Sequence, residues 1–465
     1  MDNNEKHHRS HPLACELDDT VEISRTGTVW TEVAHLITSV IGAGVLSLSW
    51  SVAQLGWIAG PAAMIVFALV SLYTTFLLVD CYRFPDPVSG PMRNTSYRKT
   101  VRVNLGERKA WLCALVQNAF FYGICVAYTI TTSVSIRAIS RSNCYHKNGH
   151  DSPCHFPNIT YMIIYGVIQV ILSQIPSFHK IWGLSILAAI MSFTYSTLGF
   201  GLGLAKVIEN GKIYGTLGGI STTVSLTRAQ KFWRILPALG DIAFAFPFTP
   251  LVIEIQDTLK SPPPENKTMR KASLVSMMIT ASFYMLCGFL GYAAFGENAP
   301  GNLLTGFGFY EPYWLIDFAN ACLAVHLVAA YQVFCQPIFS LVEGWISRKW
   351  PSNTLISKRI GIRVPLFGFY KVNLLTLCWR TAFVVSTTGI AILFPLFNDV
   401  LGVLGALSFW PLVVYFPVEM YIVQKKVQRW TLKWSLLQTL SFIALLISLV
   451  TAAGSIEGLV KDKES

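Results

Sequence analysis

Charge is what this chain has least of. Only 13% of its 465 residues are Asp, Glu, Lys or Arg, about half the ~25% of a soluble globular chain. At about 150 residues per domain the length suggests three soluble domains. The shortage of charge excludes that picture, because burying the long apolar runs would leave almost no polar surface outside. With 53% hydrophobic residues, the chain is equally unlike a disordered segment, a collagen repeat or a small disulfide scaffold. Motifs of soluble chemistry are missing as well: there is no nucleotide-binding loop, no metalloprotease helix motif and no serine elbow. The expectation is a protein that is not an enzyme and needs no metal or organic cofactor.

What is present is apolar and long. A bilayer core of about 30 Å takes roughly 20 apolar residues per helix, and eleven segments qualify: about 31–56, 58–80, 110–136, 159–177, 182–206, 233–256, 272–295, 312–346, 374–394, 399–421 and 434–456. The net charge of +11 lies in short loops between them, so it reads as membrane topology and excludes a nucleic-acid partner. With the N-terminus in the cytosol, 25 Lys and Arg fall on the inner side, 8 on the outer side and 3 at or within segments. That is the positive-inside asymmetry, and it places the C-terminus outside. Residues 1–27 are polar and mixed in charge, without the apolar core of a signal peptide, and are expected to form a disordered cytosolic tail.

Of ten cysteines, Cys15 lies in that tail and seven lie in or at apolar segments, where free Cys behaves as a small hydrophobe. Only Cys144 and Cys154 share a polar loop, on the expected oxidising side, where disulfides persist. They are expected to pair. The nearby His146, His150 and His155 do not have zinc-site spacing.

The segments divide into two sets of five and one extra. Residues 28–206 hold the first five helices, 207–232 an outer loop, 233–421 the second five, and 422–465 the eleventh helix with a short external tail. Each set begins with a helix that carries a breaker in mid-membrane: Ile41-Gly42-Ala43-Gly44 in the first, Phe246-Pro247-Phe248-Thr249-Pro250 in the sixth. Five is odd, so the two sets enter the membrane from opposite sides. Matched interruptions in an inverted repeat locate a binding site. A zwitterion suits such a place, because freed N–H groups at a helix start take its carboxylate and freed carbonyls take its ammonium. The expected substrate-binding residues are Val40, Ile41, Gly42, Ala43 and Gly44 at the first break, Phe244, Ala245, Phe246 and Pro247 at the second, and Phe120 from the third segment.

These residues carry a resemblance. Ala34-His35 leading into Ile41-Gly42-Ala43-Gly44-Val-Leu-Ser-Leu-Ser-Trp50, Gly240-Asp241-Ile-Ala-Phe-Ala245, Glu254-Ile-Gln-Asp-Thr258, Ala324-Val-His326 and Phe409-Trp-Pro411…Phe416-Pro417 resemble the plant amino acid permeases of the amino acid/auxin permease family. The resemblance runs from about residue 25 to the end. It implies an all-α, leucine-transporter-type 5+5 inverted repeat and proton-coupled amino acid uptake at the plasma membrane. Relatives usually have Tyr-Ala-Tyr-Ser where this chain has Phe246-Pro247-Phe248-Thr249. They have Gln-Tyr-x-Asn-Leu where it has Gln117-Asn118-Ala119-Phe120-Phe121. Fewer polar partners imply apolar substrates, and also a second reading, a transport-inactive amino acid sensor on the same fold.

Ionisable groups within apolar segments are costly, and each is a functional candidate. His35 lies two turns before the first break, Asp241 one turn before the second, and His326 midway along the eighth segment. An imidazole of unperturbed pKa about 6.5 suits a proton carrier. Protons are the expected coupling ion, carried by His35, Asp241 and His326. Arg380, in the ninth segment, is expected to pair with a carboxylate.

Overall fold

The computed structural model describes residues 25–149, 152–175, 182–220, 227–308, 312–350, 359–364 and 368–464. Residues 1–24, with Cys15, and His150 lie outside that set.

The first segment is two helices. α1, Val29–Val40, opens with a capping box between Thr28 and Thr31 and ends at Ile41. α2 begins at Gly44 and runs to Asp80. Gly56 turns α2 by a backbone φ of +84°, in a place where a Cβ would strike the backbone of residues 217–219. Glycine is the residue that takes this conformation without strain, so the second segment starts there. α3, Tyr97–Leu105, and a short hairpin of β1, Arg83–Phe84, with β2, Met92–Arg93, fill the next loop. α4, Glu107–Asn148, carries the third segment and continues 12 residues past 136, so most of the expected 137–158 loop up to Asn148 is helical. Its last turn holds Cys144, which is disulfide-bonded to Cys154 with the Cα atoms 5.9 Å apart. α5, Asn158–Ser173, and α6, Trp182–Asn210, follow.

The second set repeats the plan. α7, Arg228–Ala245, is capped by Thr227 and Gln230 and stops just before Pro247. A 3-10 turn at Thr249–Leu251 then leads into α8, Val252–Gln256. α9, Glu265–Phe295, and α10, Tyr313–Lys349, are long and continuous. A hairpin of β3, Arg359–Val364, and β4, Gly368–Asn373, precedes α11, Leu374–Leu393. The tenth segment comprises α12, Phe397–Ser408, a π-helical turn at Phe409–Tyr415, and α13, Phe416–Gln424. α14, Leu432–Glu464, is the additional helix.

Among the described residues nine helices are long and apolar enough to cross a membrane. Counting α2 as its two arms and adding the shorter α5 accounts for all eleven segments. The chain is thus an all-α polytopic membrane protein with a 5+5 inverted repeat and one extra helix. Packing follows the repeat: α1, α2, α7 and α9 form one bundle, and α4, α5, α10 and α11 another. α12 and α14 close against α7.

Arg25 and Gly27 dock beneath the first bundle. The Arg25 guanidinium pairs with Asp257 at 3.1 Å, and the Tyr82 hydroxyl donates to the same carboxylate at 2.6 Å. Gly27 N–H donates to the Thr258 carbonyl at 3.0 Å.

Candidate functional site

At the first break three residues, Ile41 to Ala43, separate α1 from α2, which frees carbonyls that lipid cannot satisfy. Neighbouring helices supply hydroxyls instead. Tyr284 of α9 donates to the Val40 carbonyl at 2.7 Å. The Tyr195 hydroxyl of α6 lies 3.2 and 3.0 Å from the carbonyls of Ile41 and Gly42. On the far side of the break, Ala43 offers α2 no side-chain cap, and the first N–H groups of a helix have no intrahelical partner.

The second break is made by proline. Pro247 and Pro250 have no N–H to donate, and the Pro250 carbonyl accepts the Gln117 amide of α4 at 2.9 Å. Gln117 is retained from the family's third-segment pattern. The Asn118 amide turns back to its own helix, 2.6 Å from the Ala114 carbonyl.

The two breaks and α4 enclose a cavity of ≈ 30 Å³, room for about two water molecules. Val40, Gly42, Ala43, Gly44, Phe120, Phe244, Ala245 and Pro247 all line it, so eight of the ten expected substrate-binding residues meet at one place. Ile41 and Phe246 are not in the lining. Phe246 is fully buried against Tyr284, ring centroids 5.3 Å apart. Its replacement of a family tyrosine therefore changes the core of the first bundle and leaves the cavity wall as it was.

Several lining residues were not expected from the sequence. Tyr128 is the main one: a Cβ added to Gly42 would sit 3.1 Å from its hydroxyl oxygen. It lies eight residues after Phe120 and four after Ile124, all on one helical stripe of α4, and following that stripe two turns onward would have found it. Phe334 of α10 packs on Tyr128 at 5.9 Å and on Phe121 at 5.5 Å. Tyr195 and Tyr284 have no sequence signal, because nothing marks which aromatic faces a break.

The expected coupling residues separate. His35 lies on the exposed side of α1, one turn from the cavity-lining Ser39. His326 is 1% exposed; its Nδ1 lies 2.8 Å from the Ala188 carbonyl and its ring meets Tyr195 edge-on at 5.7 Å. Through Tyr195 it contacts the first break. Asp241 is fully buried, with Oδ2 accepting from Ser51 of α2 at 3.2 Å and Oδ1 without a partner among the described residues. None of the three lines the small cavity. Arg380 pairs with Glu343 at 2.8 Å and donates to the Ser173 carbonyl at 2.7 Å, ties that bind α11 to α10 and α5. Near the disulfide, His146 stacks on Tyr313, centroids 3.7 Å apart.

A second, larger cavity of ≈ 380 Å³ lies on the disulfide side of the breaks, lined by residues including Trp50, Asn302, Phe397 and Asp399. On the opposite side the Arg25, Tyr82 and Asp257 contacts close the bundle.

Comparison with known proteins agrees with this architecture. A family model described as "Transmembrane amino acid transporter protein" matches residues 25–461. Amino acid permease 3 of Arabidopsis thaliana is 55% identical over 449 residues, 97% of this chain and 94% of the relative. Amino acid permease 2 of the same plant is 55% identical over 446 residues, 96% and 90% of the two chains. The solved structure of MhsT in complex with L-phenylalanine superposes with a TM-score of 0.54 at 10% identity, covering 91% of this chain and 98% of that one. That likeness shows the leucine-transporter-type fold. The family match, near-full-length identity and paired breaks make this chain a member of the transmembrane amino acid transporter family.

Proposed function

We propose that the protein is a proton-coupled symporter that imports neutral, apolar-leaning amino acids across the plasma membrane. The N-terminus is cytosolic and the disulfide side extracellular, in keeping with the distribution of Lys and Arg. The observation that carries the reading is the uncapped start of α2 facing a cavity shared by both breaks. The substrate carboxylate is held by the N–H groups at Gly44 and by the Tyr128 hydroxyl. Its ammonium turns to the carbonyls near Ala245, because the second break has acceptors and few donors. The rest of the wall is mostly apolar: Phe120, Phe121, Ile124, Phe244, Phe248 and Phe334. A polar substrate side chain would leave groups unpaired there at about 1–3 kcal/mol each.

Uptake of labelled leucine into a transport-deficient cell tests the reading. Uptake should rise as external pH falls from about 7.5 to 5.5, the range in which a group near pKa 6.5 changes charge, and collapse of the proton gradient should abolish accumulation. Sodium-dependent, pH-flat uptake would replace the coupling ion, and saturable binding without uptake would favour the sensor.

A further inference from the structure

The larger cavity and the buried carboxylate beside it belong together. Asp399 lines the wall of the ≈ 380 Å³ cavity on the disulfide side. Trp50 lines the same wall, and the next residue, Ser51, holds Oδ2 of Asp241. Asp241 is thus one residue removed from the cavity through α2. It is also near the cavity through α12, because Asp399 lies one turn before Gly402 on that helix, and Gly402 packs on Gly240, the residue before Asp241. α7 and α12 meet here almost backbone to backbone: a Cβ on Gly240 would sit 2.5 Å from the Gly402 carbonyl oxygen. Among the described residues, two buried polar atoms at this junction lack partners, Oδ1 of Asp241 and the hydroxyl of Ser455 of α14, which packs against Gly402.

Among the described residues, α2 brings the Ser51 hydroxyl to Asp241, while Thr131 of α4 and Asn302, Thr305 and Asn398 share the cavity wall with Asp399. From α14 there are the Ser455 hydroxyl and Gly458, which lies against Asp399 Oδ1. The charged neighbours of that turn, Glu457 and Lys461, pair with each other at 3.8 Å. α7 itself carries Arg228, Lys231 and Arg234 two or more turns away.

We propose that Asp399 is the outer proton acceptor of this transporter and loads Asp241 along the interface of α2, α7 and α12. A proton from external water binds an Asp399 carboxylate oxygen. It then passes to Oδ1 of Asp241, leaving Asp399 ionised for the next. Asp241 is four residues before Ala245 on α7, so its neutralisation is felt at the second break. This route rests on the proton-symport reading, and it takes the outward entry point away from His35, which lies on the other side of the breaks.

The test is the pH profile of leucine uptake by intact cells expressing full-length chains. Carboxylates that interact by more than about one pK unit titrate as a pair. Asp399→Asn should therefore move half-maximal uptake to lower external pH by about one unit, roughly tenfold in proton concentration. Asp399→Glu should restore the profile, and Asp241→Asn should make uptake pH-flat and non-accumulating. The double variant should match Asp241→Asn. Surface expression and the melting temperature of each purified variant separate misfolding from a lost proton site. An Asp399→Asn profile that superimposes on a pH-dependent parent overturns the route while leaving symport intact. A parent with no pH dependence overturns both readings.

Discussion

The two breaks do the same job with opposite chemistry. The first is built from small residues, and its carbonyls are bound by tyrosine hydroxyls from α9 and α6. What it leaves over is donors, the N–H groups at the start of α2. The second carries Pro247 and Pro250, which have no N–H to donate, and the Pro250 carbonyl is bound by the Gln117 amide. Both ends line one cavity, and under the proposed function a zwitterion would take one orientation between them.

The most damaging way to break this asymmetry is to fill the donor end. A Cβ on Gly44 would already lie 3.4 Å from the Phe244 ring, so the remaining carbons of Gly44→Leu have to enter the ≈ 30 Å³ cavity. Overpacking costs about 1–3 kcal/mol, and uptake should fall by about 10- to 100-fold with normal surface expression. Undiminished uptake would place the substrate elsewhere.

Tyr128→Phe sharpens the same end. It removes one hydroxyl and no volume. A hydrogen bond to a charged group contributes about 1.5–3 kcal/mol, so KM for leucine should rise by about tenfold or more. Tyr284→Phe is the matched comparison: it frees the Val40 carbonyl, which already accepts the Gly42 N–H at 2.8 Å, and should lower thermal stability more than affinity. If the two variants shift KM equally, Tyr128 has no special role toward the carboxylate.

How much of this was legible beforehand follows from what each break is made of. Gly42 with Gly44 and Pro247 with Pro250 interrupt the first and sixth segments at matched positions, whereas Pro61, Pro237 and Pro337 sit inside continuing helices; the matched pairs made the fold legible and pointed to a candidate place for the site. Gly56 closes the first expected segment, 31–56, and the break within α2 falls there. The residues that complete the site act through space. Tyr195, Tyr284 and Phe334 come from helices whose rotation the sequence does not set, since each is apolar nearly all round. Asp241 was visible as a charge in an apolar run, but its relation to Asp399 depends on the close approach of α7 and α12 at Gly240 and Gly402. Phe246 falls outside the cavity lining, and sequence adjacency to Ala245 and Pro247 says nothing about which way a side chain turns outside a helix.

The acceptor end is tested through selectivity. Phe120 and Phe248 line the cavity, so Phe120→Asn with Phe248→Tyr puts an amide and a hydroxyl on the wall that the proposed function gives to the substrate side chain. Competition by glutamine against labelled leucine should strengthen by several-fold, given about 0.5–1.5 kcal/mol for each new neutral hydrogen bond. A parent that already accepts glutamine as well as leucine would show that these phenylalanines do not set the range.

The smallest effect is expected at Phe246, although its change from the family's tyrosine stands beside the break. Its ring is fully buried and packs on Tyr284, outside the cavity wall. Phe246→Tyr adds a hydroxyl inside the first bundle, where a buried hydroxyl without a partner costs about 1–3 kcal/mol. The readout should be a lower melting temperature with the order of competing amino acids unchanged. Set against the Phe120 and Phe248 pair, this variant separates nearness in sequence from contact in space. If Phe246→Tyr instead admits glutamine, the ring rotates into the cavity during transport, and the second break presents a side chain as well as carbonyls to the substrate.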